Sequence, residues 1–448
     1  MQEPKPQERV EDIAIAEYLV GELERGPLPP LRFALRLTLR MVELAVLVGP
    51  SVGLWLVYGL GTLAWGRAPN VVRLSQVTRY LRYTWTLRSP EVELPLHHRV
   101  WLSTAFLRKF EFAPVQGLAW ILDEALYGRM LDAVEVRSPL IELSATRSGS
   151  TQLARYLEHD PRLLSPSVLQ LFAPYLWLWR LAARFAPLVS LEAIDARLEA
   201  TMPPEFLERH EADAFRTDTF EVALSTGCLN LWSLFLGPRV AQREFNFGEA
   251  APENRDLWDR DFVMLFDRIA RKTLLRHGAS EDQRIFIKGH FLAAADLLER
   301  RYPDARFVTM VRHPSKRLQS AVNYLRVHPV DAVLGPPPWR TVGRMLVPVD
   351  ARYCELEQAW YGRRGGARRC VLRFDDYCTN LEGTMAKVYR ECLDIDALPS
   401  FVPREHEPRK RKDYLVNRSL EDVGVDRHRL EARLSDYIEW CAPRHERA

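Results

Sequence analysis

Four times after residue 134 a short apolar run stops at a turn and a helical stretch follows, and that alternation restricts the chain to few folds. "LIELSAT" leads to "QLARYLEHD", which stops at Pro161, and "RIFIKG" leads to "LAAADLLERRY". "ARFVTMVR" leads to "SKRLQSAVNYL", with Pro314 in the first helical turn, and "CVLRFDDY" leads to "LEGTMAKVYRECL". Buried strands alternating with helices build a parallel sheet covered by helices on both faces. Residues 163–275 interrupt the pattern with aromatic-rich helical segments, "LFAPYLWLWRLAARF" and "LNLWSLFLG". Inserted after the first strand-turn-helix unit, they fall at the carboxyl end of the sheet, where such sheets bind ligands.

The N-terminal third has a different texture. Arginines recur at 32, 36 and 40, a spacing that lines one helical face. They lead into "LAVLVGPSVGLWLVYGLGTLAW", residues 44–65, which carries no charge. A membrane-spanning helix needs about 20 such residues. Arg40 and Arg67 flank the segment, and Trp55, Tyr58 and Trp65 suit a membrane interface. Pro50 and four glycines predict a kink, and Gly49 with Gly53 forms a weak G-x-x-x-G helix-pairing signal. The segment reads as membrane contact, whether spanning, re-entrant or interfacial; the alternative is a buried hairpin. The expected architecture is thus an N-terminal helical region, residues 1–130, followed by an α/β domain, residues 131–448, whose sheet is P-loop-like.

Composition sets limits on partners. A formal charge of +3 over 448 residues gives no global field for nucleic acid. The six cysteines, at 228, 354, 370, 378, 392 and 441, form no C-x-x-C pair and no zinc-finger spacing, which suits a reducing compartment. The first ten residues are too polar for a secretory signal. One sequon, Asn417-Arg418-Ser419, is a match expected by chance. No signal specifies an oligomeric state.

Three clusters carry chemistry. "SATRSGST", Ser144 to Thr151, runs from a strand through a glycine turn into a helix, so its backbone N–H groups face an anion. Arg147 adds a charged fork, and Ser148, Ser150 and Thr151 add hydroxyls. A nucleoside-triphosphate loop would place lysine where Ser150 stands. In "VRHPSKRLQS", Arg312 lies at a strand exit and Ser320 eight residues later in the following helix, a pair able to close on one phosphate. In "FIKGHF", Lys288 and His290 point to the same side of an extended chain, a base beside a cation. Taken singly, each has a plain structural alternative: a capped turn, a surface arginine, a core histidine.

In this order the three clusters resemble the sulfotransferase superfamily, over roughly Val134 to Asp426, with texture closest to its broad bacterial branch, including the late "RSLEDVGVD". The resemblance implies a donor, 3′-phosphoadenosine 5′-phosphosulfate, used without a metal ion. It implies Arg147, Ser148, Gly149, Ser150 and Thr151 around the 5′-phosphosulfate, and Arg312 with Ser320 on the 3′-phosphate. Lys288 would stabilise the bridging oxygen and His290 would be the general base. Some branches use a carboxylate base, which makes Glu211 or Asp213 of "RHEADAF" the alternative. Ala145 and Thr146 depart from the family's usual apolar-proline approach to the loop. "RFDD" replaces a tyrosine-bearing version, which leaves Phe374 unassigned to adenine. The basic run Arg409 to Lys412 is either a closing loop on the 3′-phosphate or a solvated charge run.

The acceptor expected is a hydroxyl or amine of an amphiphilic or lipid-like small molecule. This reading rests on residues 44–65 and on the aromatics Phe172, Tyr175, Trp177, Trp179, Trp232 and Phe235, which line either a pocket or a core. Expected location is the cytoplasm, at the inner face of the membrane, with Golgi-type anchoring as the alternative. Two other functions compete: a P-loop-type nucleotide kinase or NTPase, and a non-catalytic nucleotide-binding scaffold.

Overall fold

The computed structural model describes residues 30–86, 96–185, 190–202, 207, 213–226, 257–327, 339–406 except 364 and 367, and 418–442. Five strands form one parallel sheet: β1 (Leu140–Leu143), β2 (Leu163–Leu164), β3 (Arg284–Gly289), β4 (Arg306–Val311) and β5 (Arg368–Arg373), in the order β2-β3-β1-β4-β5. Leu140, Phe286 and Val308 enter one apolar cluster while their neighbours Ile141, Ile287 and Phe307 enter another. Successive strand residues point to opposite faces, so both faces of the sheet are core, as the unbroken apolar runs imply. Helices after the strands include α4 (Ser150–Leu157), α5 (Glu221–Thr226), α6 (Val263–His277) and α7 (Pro314–Val327).

Two boundaries differ from the sequence reading. The inserted region opens with β2, whose two residues are too few to show a period. "CVLRFDDY" stops being a strand at Arg373, and Phe374–Thr379 is helical. Asp375 and Asp376 occupy that helix's first turn, where the positive end of the dipole favours carboxylates.

Among the described residues, three helices stand before the sheet: α1 (Pro30–Trp65), α2 (Leu74–Thr86) and α3 (Leu96–Ala133). Pro50 does not interrupt α1, which is one helix of 36 residues. The Arg40 guanidinium lies 4.6 Å from the Trp101 ring, Arg108 pairs with Glu43 at 2.8 Å, and Ser51 Oγ donates to the Glu111 carbonyl. Gly61 packs on Ile121, and a Cβ at Gly117 would lie 2.4 Å from the Tyr58 ring. Partner numbers rise together, so α1 and α3 run parallel. α2 runs antiparallel to α3 and packs on it: Trp85 Nε1 donates to Ser103 Oγ while Tyr80 meets Phe106.

Buried ion pairs join these helices to the α/β core. Arg67 and Arg73 both bind Asp261, whose side chain is buried. Asp123 of α3 pairs with Lys272 of α6 at 2.9 Å, both fully buried. The Lys272 ammonium also lies 3.8 Å from the Trp120 ring and donates to the Pro174 carbonyl at 2.8 Å. Asp123 accepts from the Leu176 and Trp177 N–H groups as well. Removing one partner of such a pair strands the other charge in low dielectric. Asp123→Ala is therefore expected to cost about 3–5 kcal/mol, read from urea unfolding, with Asp123→Asn losing less because it keeps an acceptor for one of the two N–H groups.

Candidate active site

The carboxyl ends of the three adjacent strands β3, β1 and β4 carry the three sequence clusters to one place. β1 ends at Leu143, and Ser144 fixes the exit: its hydroxyl donates to Glu142, and its oxygen accepts the Met310 N–H of β4 at 2.7 Å. The loop then passes through two left-handed residues, Arg147 at φ 65° and Gly149 at φ 107°. Arg147 is not a glycine, so that conformation costs it of order 1–3 kcal/mol. A Cβ at Gly149 would lie 2.8 Å from Met310 Sδ and 2.9 Å from the Phe374 ring. Backbone this tight, with no side-chain cap on the first turn of α4, leaves N–H groups facing the turn.

The charged side chains converge on this loop. Lys288 Nζ donates to Thr151 Oγ1 at 2.9 Å and pairs with Asp218 at 2.7 Å. Arg147 Nε donates to Ser320 Oγ at 3.1 Å, and its guanidinium lies 4.8 Å from the Tyr324 ring. Arg312 Nη1 donates to the Arg147 carbonyl at 2.9 Å and stacks 4.2 Å from the Phe374 ring. Thus Arg147, Thr151, Lys288, Arg312 and Ser320 are linked directly, although they lie on three separate strand ends. Ser148 is different: its hydroxyl turns back to donate to the Ala145 carbonyl, so it contributes backbone to the turn. Ser150 is the buried first residue of α4.

His290 sits beside them. Its Nδ1 lies 2.7 Å from the Ser144 carbonyl oxygen, which can only accept. The proton is therefore on Nδ1, and Nε2 keeps the free lone pair. Desolvation and then the Lys288 ammonium depress the imidazole to about 4, so it is neutral at pH 7 and suited to a base. Gly289 separates the two residues because the Phe291 ring fills the space its Cβ would need, 1.9 Å away. Phe291 is buried among Phe220, Phe262 and Phe266.

Two carboxylates that sequence reading missed attend this pair. Residues 217–221 lie alongside the end of β3, where the Phe220 N–H bonds the Lys288 carbonyl at 2.8 Å. Asp218 reaches Lys288, and Glu221 accepts the His290 backbone N–H at 2.6 Å and binds the Thr219 hydroxyl. Burial pushes the Glu221 carboxyl up to about 7. Nothing in "TDTFE" marks it as sheet, since Thr219 pairs with Lys288, 69 residues away. Asp213 has another use: it accepts the Phe215 and Arg216 N–H groups in a turn. Glu211, the run 409–412, Trp232 and Phe235 lie outside the described residues. Of the other aromatics, Tyr175 and Trp179 are buried, and Trp177 donates to the Ala119 carbonyl of α3. They pack the insertion on the N-terminal helices, and only Phe172 is exposed.

A depressed histidine has a thermodynamic signature. The unfolded chain takes up the proton near 6.5 and the folded one near 4, so His290 lowers stability as pH falls through that window. The wild type is expected to lose more stability than His290→Gln between pH 7 and 4, and its His290 ring signals should titrate with a midpoint about 4 by NMR. A midpoint near 6.5 would mean that the ring is not held as described.

A profile of the sulfotransferase family matches residues 139–396, a stretch containing all five strands and every residue of this site. Among solved structures, the sulfotransferase STF9 from Mycobacterium avium is similar at 18% identity, over 83% of this chain and 97% of its own, with a TM-score of 0.58. The sulfotransferase STF1 from Mycobacterium tuberculosis H37Rv is similar at 16% identity, over 82% and 100%, with a TM-score of 0.52. At such identities the likeness is one of fold. A search of curated protein sequences finds no match.

Proposed function

The chain belongs to the sulfotransferase family, and from that premise we propose that it moves a sulfuryl group from 3′-phosphoadenosine 5′-phosphosulfate to a hydroxyl or amine of an amphiphilic, lipid-like acceptor. The supporting observation is the direct linkage of the three clusters, Lys288 to Thr151 and Arg147 to Ser320. The cradle fits the donor: a left-handed Arg147, a glycine whose Cβ space is filled, and three cations within one site.

In this reading the acceptor forms a bond to sulfur while the bond from sulfur to the 5′-phosphate oxygen breaks in line. His290 Nε2 takes the acceptor's proton. Arg147 and Lys288 face the oxygen on which charge grows, and the loop N–H groups from Arg147 to Thr151 hold the 5′-phosphate. Arg312 and Ser320 bind the 3′-phosphate, the feature separating this donor from other adenine nucleotides. The amphiphilic acceptor is supported by the apolar exterior of α1, which shares a core with the strand bearing His290. We place the protein in the cytoplasm, at a membrane surface.

Calorimetry with adenosine 3′,5′-bisphosphate, with AMP and ADP as controls, tests the donor site. Binding is expected to require the 3′-phosphate and to weaken by about ten- to a hundredfold in Arg312→Ala, as for a charge-assisted contact. Indifference to the 3′-phosphate would remove this donor. His290→Ala should keep the bisphosphate affinity and abolish transfer from radiolabelled donor into a lipid extract; undiminished transfer would take His290 out of the mechanism.

A further inference from the structure

The outer surface of α1 is unlike that of a water-facing helix. Of its residues 44–65 only Leu44, Ser51 and Tyr58 are buried, seven apart, and they form the seam with α3. Thirteen large apolar side chains of α1, from Leu31 to Trp65, are each at least half exposed, including Val46, Val52, Leu56, Leu60 and Leu63. Where a Cβ would stand at Gly49, Gly53 and Gly59 there is no atom within 4 Å. α3 adds Val115, Leu122, Leu126 and Met130. Leu122 and Leu126 follow the seam residue Ile121 by one and five positions, rotations of about 100° and 140°, so this second apolar arc adjoins the first. The largest apolar patch on an ordinary monomer is about 300–600 Å², a few side chains in extent.

We propose that α1 and the outer arc of α3 lie in the plane of a phospholipid bilayer, with their exposed side chains among the acyl chains and the seam side facing the protein. The uncharged segment 44–65 is long enough to cross, about 33 Å at 1.5 Å per residue. Crossing, however, would carry α3 with it, because the two helices are in contact from Arg40 at Trp101 to Gly61 at Ile121. Glu111 of α3, level with Ser51, and behind it Asp123–Lys272 and the α/β core, would then enter hydrocarbon. An in-plane seat keeps these groups on the water side and immerses only the apolar arc. Cations stand at its margins, Arg36 near the start of α1 and Arg129 near the end of α3, both exposed, where lipid phosphates would lie. A second copy of the chain is a poorer fit. Exposed apolar residues occupy most of the circumference of α1, as at Val46–Val48 and Leu56–Val57, whereas a protein partner would cover one stripe. A fluid hydrocarbon covers all of it without a register.

The seat gives a lipid-like acceptor its source, and so bears on the proposed function, but its test uses neither donor nor acceptor. Purified full-length protein is floated with vesicles of phosphatidylcholine containing a minority of phosphatidylglycerol, beside Val52→Glu/Leu56→Glu, whose changes lie off the seam. The wild type is expected to float, and the variant's floated fraction to fall by about tenfold or more, with circular dichroism unchanged. Failure of the wild type to float would overturn the proposal. So would a wild-type dimer, seen by light scattering and abolished in the variant, in protein that does not float. Cysteines introduced at Arg36 and Ser75, exposed polar positions before and after segment 44–65, in a Cys228→Ser/Cys378→Ser background should both react with a membrane-impermeant maleimide on vesicle-bound protein; protection of one alone would mean that α1 crosses. Normal bisphosphate binding in protein that does not float would sink the seat and leave the donor site standing.

Discussion

Ser144 is the point on which the site's geometry depends. It follows the last residue of β1, and its side chain takes the hydrogen bond that a further ladder residue would have offered Met310 of β4. Its hydroxyl proton goes to Glu142, and its carbonyl holds Nδ1 of His290. One residue thus sets where the phosphate-facing turn departs and which ring nitrogen is free. The turn beyond it contains a left-handed arginine, a conformation that persists only where the surroundings impose it. Here the anchors are Ser144 before the turn, the Arg312 hydrogen bond on the Arg147 carbonyl, and the packed Met310 and Phe374 over Gly149.

The electrostatics follow from which carboxyls are kept neutral. Glu142 lies beside Lys288 in the register of β1 and β3, beneath the turn, and burial pushes it up to about 8. Glu221 and Glu357 are likewise raised by burial, the latter bonded to Thr309 and Tyr437. A protonated carboxyl serves as a hydrogen-bond partner without adding negative charge. Glu142 can therefore sit beneath a site whose working charges are Arg147, Lys288 and Arg312 without adding a full negative charge, and Glu221, at about 7, adds only part of one. Asp218, paired with Lys288, balances only part of that field.

The sheet was legible in the sequence because each main strand is an apolar run closed by a turn, and a parallel sheet buried on both faces demands such runs. The motif residues were legible for a related reason: each lies within a few residues of a strand end, so local spacing and sheet position coincide. What could not be read depends on contacts distant in sequence. Asp218 and Glu221 reach the site by pairing with the end of β3, and Asp123 meets Lys272, 149 residues away in the chain. The aromatics 175, 177 and 179 were ambiguous because helical spacing of large rings is the same for a pocket and a core. The structure puts Tyr175 against Asn70 and Trp177 against α3.

The N-terminal helices are not an appendage. Tyr58, Ala68, Val71 and Val72 belong to the same buried cluster as Ile287 of β3 and Phe291 just past its end, the residues on either side of the stretch from Lys288 to His290. Arg67 and Arg73 close on Asp261, next to Phe262, whose ring lies 5.3 Å from that of Phe291. The path from α1 to the base thus runs through packed side chains of the α1–α2 connection, residues 67–73, to the ring of Phe291. Close-packed interiors have low compressibility and hold their side chains in fixed rotamers. The packing that seats α1 on the α/β core is therefore the same packing that fixes Phe291 beside His290.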